Sequence, residues 1–243
     1  MNKSVKKIVQ KRTVQTKKQV KRKLKKNKRK LKYINILVFL VIVVVLTLFI
    51  NIILNIKISN IYITGNSILK DQMIIEESKL DDYPKSLSKS TVSIKNSLKL
   101  NPYIKLVKVE KKWLKEVYIE ITERKALFYK NGKLVLEDNK EVNDKQLVPE
   151  LINYVPDTIY DEFVKEMAKI NTEILGRISE IKYNPNEIDQ NRFMMTMSDG
   201  NYVYLTLNKF EVINNYVEMI KKFKNKKGIL YLDSGEYFEI YEN

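Results

Sequence analysis

The chain has 243 residues and a formal charge of +16, from 45 Lys and Arg against 29 Asp and Glu. It contains no His and no Cys, which excludes His-based catalytic triads, thiol nucleophiles, disulfides and nearly every kind of zinc site. Neither a P-loop nor a GxGxxG pattern occurs, so the sequence offers no phosphate-binding loop.

Positive charge is concentrated at the N-terminus. Residues 1–33 hold 16 Lys and Arg and no acidic residue, which leaves 29 basic and 29 acidic residues in the rest of the chain. Self-repulsion predicts a disordered basic tail. Nucleic-acid phosphates or anionic lipid headgroups could bind it. Because no aromatic residue precedes Tyr33 to stack on bases, we favour anionic membrane lipids over nucleic acid.

An apolar run follows from Ile34 to Leu54, and it contains no charged residue. A helix of this length, at about 1.5 Å per residue, matches a hydrocarbon core of about 30 Å. A buried core helix would have a polar face, and a cleaved signal peptide would have a shorter basic region and a cleavage site. We therefore predict an uncleaved transmembrane helix over 34–54, with residues 1–33 cytoplasmic and the chain from residue 57 outside the membrane.

Residues 57–125 are predicted to form a first α+β unit. A strand ending near Thr64 is followed by a helix that Ser67 could cap and that runs to about Lys79, with Leu69 and Met73 on its inner side. The remaining elements are a second helix over about 91–100 and two strands, the last at 116–123, where apolar residues alternate with polar ones. The predicted order is β-α-α-β-β.

A second mixed α/β unit with an antiparallel sheet is predicted over 126–243. Asn131-Gly132 between two apolar runs indicates a hairpin. The longest helix should cover about 158–175 and end at Gly176, because its apolar residues follow one helical face. The other predicted elements are strands near 177–184, 192–197 and 202–207, a helix over about 210–224, and strands at 229–232 and 236–241.

A set of turn and strand-end residues recurs in a particular order in the first unit. They are Gly65 and Asn66 after the first strand, Pro102 before the second, Trp113 in the following turn, and Glu123 and Arg124 after the third. Behind a basic tail and a single span, this order resembles the POTRA domain of the FtsQ/DivIB family, in which a β-rich domain follows. Leu114 and Lys125 stand where the family often has Pro, and 138–141 lacks the Gly of an expected Asp-x-x-Gly turn.

The resemblance implies a non-enzymatic, single-pass type II scaffold of the division septum. Such proteins hold FtsL-like and FtsB/DivIC-like bitopic partners outside the membrane, and the complex helps control septal peptidoglycan synthesis. By analogy, the C-terminal strand would pair with a strand of a partner. The resemblance implies no cofactor and no small-molecule substrate.

The residues themselves support the pairing of the C-terminal strand with a partner, because the last predicted strands are apolar, aromatic and suited to β-augmentation. The candidate partner-binding residues are Tyr231, Tyr237, Phe238, Ile240 and Tyr241. The same side chains could instead pack the core, and alternate residues could do both.

Two other functions are open to such a chain. Ser67-x-x-Lys70 and Ser86-x-x-Lys89 fit the S-x-x-K motif of membrane-anchored serine enzymes of the cell wall. The companion motifs are incomplete, so no catalytic, cofactor-binding or metal-binding residue is predicted. A different POTRA-bearing adaptor in secretion or assembly is the other alternative, although such proteins usually have several tandem POTRA units.

Overall fold

The computed structural model describes residues 17, 21–22, 33–223 and 226–241. Most of the predicted basic tail, residues 1–33, therefore lies outside the described residues. Helix α1 runs from Tyr33 to Leu54, with a mean hydropathy of 3.3 and no surface buried against the rest of the described chain. It is the one helix among the described residues that is long and apolar enough to cross a membrane.

Seventeen further α-helices and strands and two short 3-10 helices follow α1 in the described part of the chain. The bounds are β1 Asn60–Thr64, α2 Asp71–Glu77, α3 Thr91–Leu98, β2 Ile104–Lys112, β3 Glu116–Glu123, β4 Ala126–Lys130, β5 Lys133–Leu136, β6 Glu141–Val142, β7 Glu150–Leu151, α4 Asp157–Lys169, α5 Thr172–Leu175, β8 Ile178–Tyr183, β9 Arg192–Met197, β10 Tyr202–Thr206, α6 Tyr216–Lys221, β11 Gly228–Tyr231 and β12 Tyr237–Ile240, with short 3-10 helices at Ser86–Ser88 and Leu207–Asn215.

The first unit is a three-stranded sheet in the order β1-β3-β2, with β1 parallel and β2 antiparallel to β3. Alternate residues of β3 are fully buried, as the sequence pattern predicts, and pack with Ile74 of α2 and with Ile94 and Leu98 of α3. The predicted order β-α-α-β-β is confirmed. Because the chain returns to the middle of the sheet as β3, the end of β3 lies next to the turn that follows β1.

The first helix of this unit differs from the prediction. It begins at Asp71, with Lys70 as its N-cap and no side-chain capping bond, so Ser67 does not cap it. The Ser67 hydroxyl is bonded instead to Glu123, which lies 56 residues later. Met73 is exposed and Ile74 is buried, so the inward face is also rotated from the predicted one.

The second unit is a nine-stranded sheet in the order β12-β11-β10-β9-β8-β7-β4-β5-β6. The predicted hairpin at Asn131-Gly132 joins β4 to β5, and both turn residues have positive φ, 53° and 76°, as a type I′ turn requires. The sheet is mixed rather than purely antiparallel. Its hairpin pairs are antiparallel. Three neighbouring pairs are parallel, because longer stretches of chain separate their two strands: β4 and β7, β7 and β8, and β10 and β11.

The two longest predicted helices are interrupted. The predicted helix 158–175 breaks at Ile170, which has an extended ψ of 129°, and continues as the single turn α5. Gly176 follows with a right-handed φ of −68°, so it is not the left-handed stop that was expected. The predicted helix over 210–224 is mostly a 3-10 helix followed by the short α6.

Hairpin β4–β5 packs on both units. Its buried residues divide between the two cores: Ala126, Leu134 and Leu136 lie in the first, and Leu127, Phe128 and Val135 lie in the second. Residues of a strand alternate between its two faces, and a register shift between Ala126 and Phe128 places both Leu127 and Phe128 on the second core, so a single hairpin covers two cores. The first unit therefore packs directly against the second through this hairpin.

Candidate partner-binding site

Strand β12 forms one end of the nine-stranded sheet. It runs antiparallel to β11, with Tyr237 opposite Tyr231 and Phe238 opposite Leu230. Within residues 33–223 and 226–241, no strand pairs with its other edge. The backbone amides and carbonyls that alternate toward such an edge are free to pair with a strand of another chain.

Three of the five predicted partner-binding residues are exposed on this strand and just after it. Tyr237 is 50% exposed, Ile240 is 43% exposed and Tyr241 is 38% exposed. Large apolar side chains beside an open sheet edge provide side-chain contacts for a strand that adds to it. The structure thus brings these residues together at one edge.

Phe238 has a different environment. It is half-buried, packs against the second core, and stacks on Phe223 with ring centroids 4.5 Å apart. Leu230 opposite it is fully buried. Residues of β12 therefore have different roles: Phe238 anchors the strand to the core, whereas Tyr237 and Ile240 remain accessible.

A row of aromatic rings crosses the outer face of the sheet and ends at β12. Tyr231 stacks on Tyr237 at 4.5 Å and on Tyr204 at 5.5 Å. The Arg192 guanidinium lies 3.7 Å from the centre of the Tyr204 ring and is held at 2.6 Å by the carboxylate of Asp233. Successive members of the row lie on neighbouring strands of the sheet. Sequence patterns within single strands therefore gave no signal for Arg192 and Tyr204.

Two ionisable groups in this row have shifted pKa values. Burial, together with a hydrogen bond to Glu239, raises the pKa of Tyr231 to about 12. Burial alone would raise the pKa of Asp233, but the Arg192 guanidinium and the bonds from Ser234 outweigh it and lower that pKa. The row therefore carries an ion pair at one end and the raised-pKa phenol of Tyr231 toward the open edge.

The POTRA motif residues lie away from this edge and shape the first unit. Gly65 has a φ of +84°, and a Cβ there would lie 2.1 Å from the carbonyl oxygen of Ile121. Asn66 then donates through Nδ2 to the Leu69 carbonyl and the Asp71 carboxylate, both at 2.8 Å. The Gly-Asn pair thus permits the close approach of the chain to β3 and fixes the start of α2.

Glu123 binds the same turn from the other side. Its carboxylate accepts four hydrogen bonds of 2.8–2.9 Å, from the amides of Ser67, Ile68 and Leu69 and from the Ser67 hydroxyl. Burial raises the pKa of this carboxyl, but the four bonds outweigh burial and hold the pKa below its usual value. Glu123 is therefore a structural anion that closes the β1–α2 turn onto β3.

Arg124 connects the first unit to the second. It forms an ion pair with Asp138 at 2.6 Å, donates to the Pro102 carbonyl at 2.8 Å and also donates to the carbonyl of Ile104. Asn139 beside Asp138 has a φ of +65° and so occupies the left-handed position in a turn that has no Gly. The motif Glu-Arg is thus part of the joint between the two units.

The two positions that lack the family's Pro have different explanations. Leu114 has a φ of +58°, which the ring of Pro cannot adopt, and Trp113 before it has a φ of +51° and is 89% exposed. Lys125 donates through Nζ to the carbonyls of Ala168, at 3.0 Å, and Ile170, at the C-terminus of α4. A lysine at this position therefore has a role that Pro could not have.

Comparison with known proteins agrees with this geometry. The model of the "POTRA domain, FtsQ-type" family matches residues 56–124. The cell division protein DivIB of Listeria monocytogenes is 28% identical over 197 residues, covering 76% of this chain and 73% of its own. DivIB of Bacillus subtilis is 28% identical over 199 residues, covering 75% and 74%, and that of Bacillus cytotoxicus is 29% identical over 197, covering 75% and 76%.

Residues 56–124 match the FtsQ-type POTRA family, and the chain is similar to DivIB proteins over about three quarters of its length. The resemblance predicted from the sequence is thereby confirmed, and the aligned stretch extends well beyond the POTRA unit. Among solved structures, the major extracytoplasmic domain of the trans isomer of DivIB from Geobacillus stearothermophilus is similar at a TM-score of 0.33 and 22% identity, over 43% of this chain and 96% of that one.

The serines of the two S-x-x-K motifs are hydrogen-bonded or buried. The Ser67 hydroxyl donates to Glu123, and Ser86 is only 2% exposed. Ser198-Asp199-Gly200 is an incomplete match to one companion motif of such enzymes. Asp199 accepts bonds from the Tyr216 hydroxyl at 2.7 and 2.9 Å, and burial raises the pKa of that phenol. No group of three or more potential metal-ligating residues occurs within the described residues.

Proposed function

We propose that this chain is a non-enzymatic, single-pass cell-division scaffold. The supporting relatives carry the name cell division protein DivIB, and the apolar helix α1 suggests a membrane anchor with the rest of the chain outside. The proposed organisation is a cytoplasmic tail over 1–33, a span over 34–54, a POTRA domain over 57–125 and a β domain over 126–243. Its partners are FtsL-like and FtsB/DivIC-like bitopic proteins, and the complex regulates septal peptidoglycan synthesis.

The open edge of β12 is the observation that carries the proposal. This strand is short and lacks Pro and Lys, the residues that commonly protect an exposed edge, and Glu239 is its one charged residue. Phe238 and Leu230 hold it against the core, so its edge is presented in a fixed orientation. A partner strand would form main-chain hydrogen bonds along β12 and contact Tyr237 and Ile240 with its side chains.

The test is an affinity pull-down from solubilised membranes with the full-length chain as bait. Tyr237→Asp/Ile240→Asp places two carboxylates beside the edge, where a bound partner strand would have to desolvate them. The matched control is Tyr154→Asp/Ile188→Asp, which changes the same residue types at positions that are 68% and 97% exposed and away from β12. Loss of the small bitopic proteins with the first pair alone would support the proposal.

Equal recovery of the bitopic proteins with both double variants would show that the interface lies away from β12. Failure to recover them with the parent chain as well as the variants would count against the scaffold. Localisation provides a second test. A fluorescently tagged chain should concentrate at the division septum, and a uniform distribution around the cell throughout division would contradict the proposal.

A further inference from the structure

The POTRA unit is held very close to the membrane. Only Asn55 and Ile56 separate the end of α1 from the folded body, because the Ser86 amide donates to the Ile56 carbonyl at 2.8 Å. Two residues reach at most about 7 Å, and the headgroup layer is about 5–8 Å thick on each side of a bilayer. When α1 spans the membrane, the surface around Ser86 therefore lies at headgroup depth.

Two exposed apolar side chains lie on this membrane-proximal end. Leu87, next to Ser86, is 52% exposed. Trp113 is 89% exposed in the β2–β3 turn, which is placed beside the same segment by a 2.8 Å bond from the Ser59 amide to the Lys115 carbonyl. The indole ring prefers the membrane–water interface, where its apolar body is covered and its N–H can still bond. Packing within the described chain leaves that ring uncovered.

Lysines surround these two side chains. The segments that carry or adjoin these side chains contain Lys57, Lys85, Lys89, Lys111, Lys112 and Lys115, against the acidic residues Asp81, Asp82 and Glu116. Lys57 and Lys85 are linked by a backbone bridge, and Lys111 donates to the carbonyl of Ser86, which ties the two halves of the patch together. Each lysine near an anionic bilayer surface contributes about 1 kcal/mol of attraction.

We infer that the β2–β3 turn is a membrane-docking tip: Trp113 inserts into the interface of the outer leaflet while Lys112 and Lys115 contact anionic lipid headgroups. This second attachment point, beside the chain that leaves α1, would fix the tilt of the POTRA unit. It would thereby set the direction in which the second unit projects from the membrane. The inference depends on α1 being a membrane span and is independent of which partner binds β12.

The chain is suited to a direct test because Trp113 is its only Trp. The full-length protein is reconstituted at one copy per nanodisc, in phosphatidylglycerol with or without bromine on the upper acyl chain, and indole fluorescence is recorded. We expect a blue-shifted emission and about a twofold loss of intensity in the brominated lipid, since an interfacial indole lies at the depth of the bromines.

Charge variants test the role of the lysines. Lys112→Glu/Lys115→Glu should restore the emission toward that of an exposed indole, whereas the control Lys165→Glu/Lys182→Glu, at exposed positions of the second unit, should not. Identical emission in both lipids, together with full quenching of the indole by iodide in the aqueous phase, would overturn the inference. A protein, rather than lipid, would then be the candidate ligand of this tip. Quenching that survives the Lys112/Lys115 change would overturn the role assigned to the lysines.

Discussion

Glu123 and Ser67 are bonded twice, since one carboxylate oxygen accepts from the Ser67 amide at 2.9 Å and from its hydroxyl at 2.8 Å. Ser67 lies in the turn after β1 and Glu123 at the end of β3, and the two are close in space because β1 and β3 are neighbouring parallel strands. Glu123 belongs to the Glu-Arg motif on which the family resemblance rests. Its hydrogen bonds within the POTRA unit give this residue a structural role that requires no binding partner.

Removing that carboxylate should destabilise the fold. Glu123→Ala leaves three backbone amides without their acceptor, so we expect the free energy of unfolding to fall by about 2–4 kcal/mol. Glu123→Gln keeps one acceptor oxygen and should lose less. Urea unfolding of the detergent-solubilised chain, followed by near-ultraviolet circular dichroism, measures the change. Glu120→Ala on the exposed face of β3 is the control and should stay within about 0.5 kcal/mol of the parent; a loss comparable to that of Glu123→Ala would contradict the assignment.

Acid should weaken the fold through Glu123 and Asp233. The pKa of each carboxyl is lowered in the folded chain. Their stabilisation is therefore complete above the unfolded pKa of about 4 and is lost as pH falls through the folded pKa. Unfolding free energies measured from neutral pH downward should fall more steeply for the parent than for Glu123→Gln/Asp233→Asn. Parallel curves for the two proteins would show that other carboxyls dominate.

Two glycines with positive φ should respond very differently to the same substitution. Gly65→Ala would place a Cβ 2.1 Å from the Ile121 carbonyl oxygen, whereas Gly132→Ala meets nothing within 4 Å. We expect Gly65→Ala to cost more than about 3 kcal/mol, because the β1–β3 pairing must shift, and Gly132→Ala to cost about 1–2 kcal/mol for its left-handed φ alone. Thermal unfolding of the two variants side by side tests this; equal losses would show that φ, not the close approach, determines the cost at Gly65.

Lys125 should stabilise the end of α4. Lys125→Met keeps the length of the side chain but leaves the carbonyls of Ala168 and Ile170 without this donor, so we expect a loss of about 1–2 kcal/mol. Lys105→Met, which removes the exposed pair with Glu137, should cost less than about 1 kcal/mol. Urea unfolding of both variants provides the comparison, and a larger loss at Lys105 would contradict the role given to Lys125.

Local patterns predicted much of this fold. The alternation of β3 and the Asn131-Gly132 turn are signals contained within a few residues, and both are confirmed. The predictions that failed depended on distant side chains. Ser67 was free to cap a helix in the sequence, but Glu123 binds it in the fold.

The break in the predicted helix 158–175 has the same kind of cause. Lys125 donates to the Ala168 and Ile170 carbonyls, and Asn214 donates to the carbonyl of Lys169 and accepts from the Asn171 amide. These partners satisfy the backbone groups that a continuous helix would have bonded. The row of tyrosines that ends at β12 could likewise not be predicted from the sequence, because the order of strands in the sheet, not the sequence spacing, brings its rings together.

A last pair of glycine substitutions isolates the proposed edge. Gly228 lies on β11 opposite Ile240, and a Cβ there would lie 2.0 Å from the Glu239 carbonyl oxygen. Gly228→Ala should therefore displace β12 from β11 and abolish the capture of bitopic partners. Gly235→Ala, in the same β11–β12 connection, meets only an ordinary 3.8 Å contact with the Tyr237 ring and should bind normally. The pull-down measures binding, and circular dichroism at the working temperature checks that both variants remain folded. Full capture by a folded Gly228→Ala chain would mean that partners bind without an ordered β12.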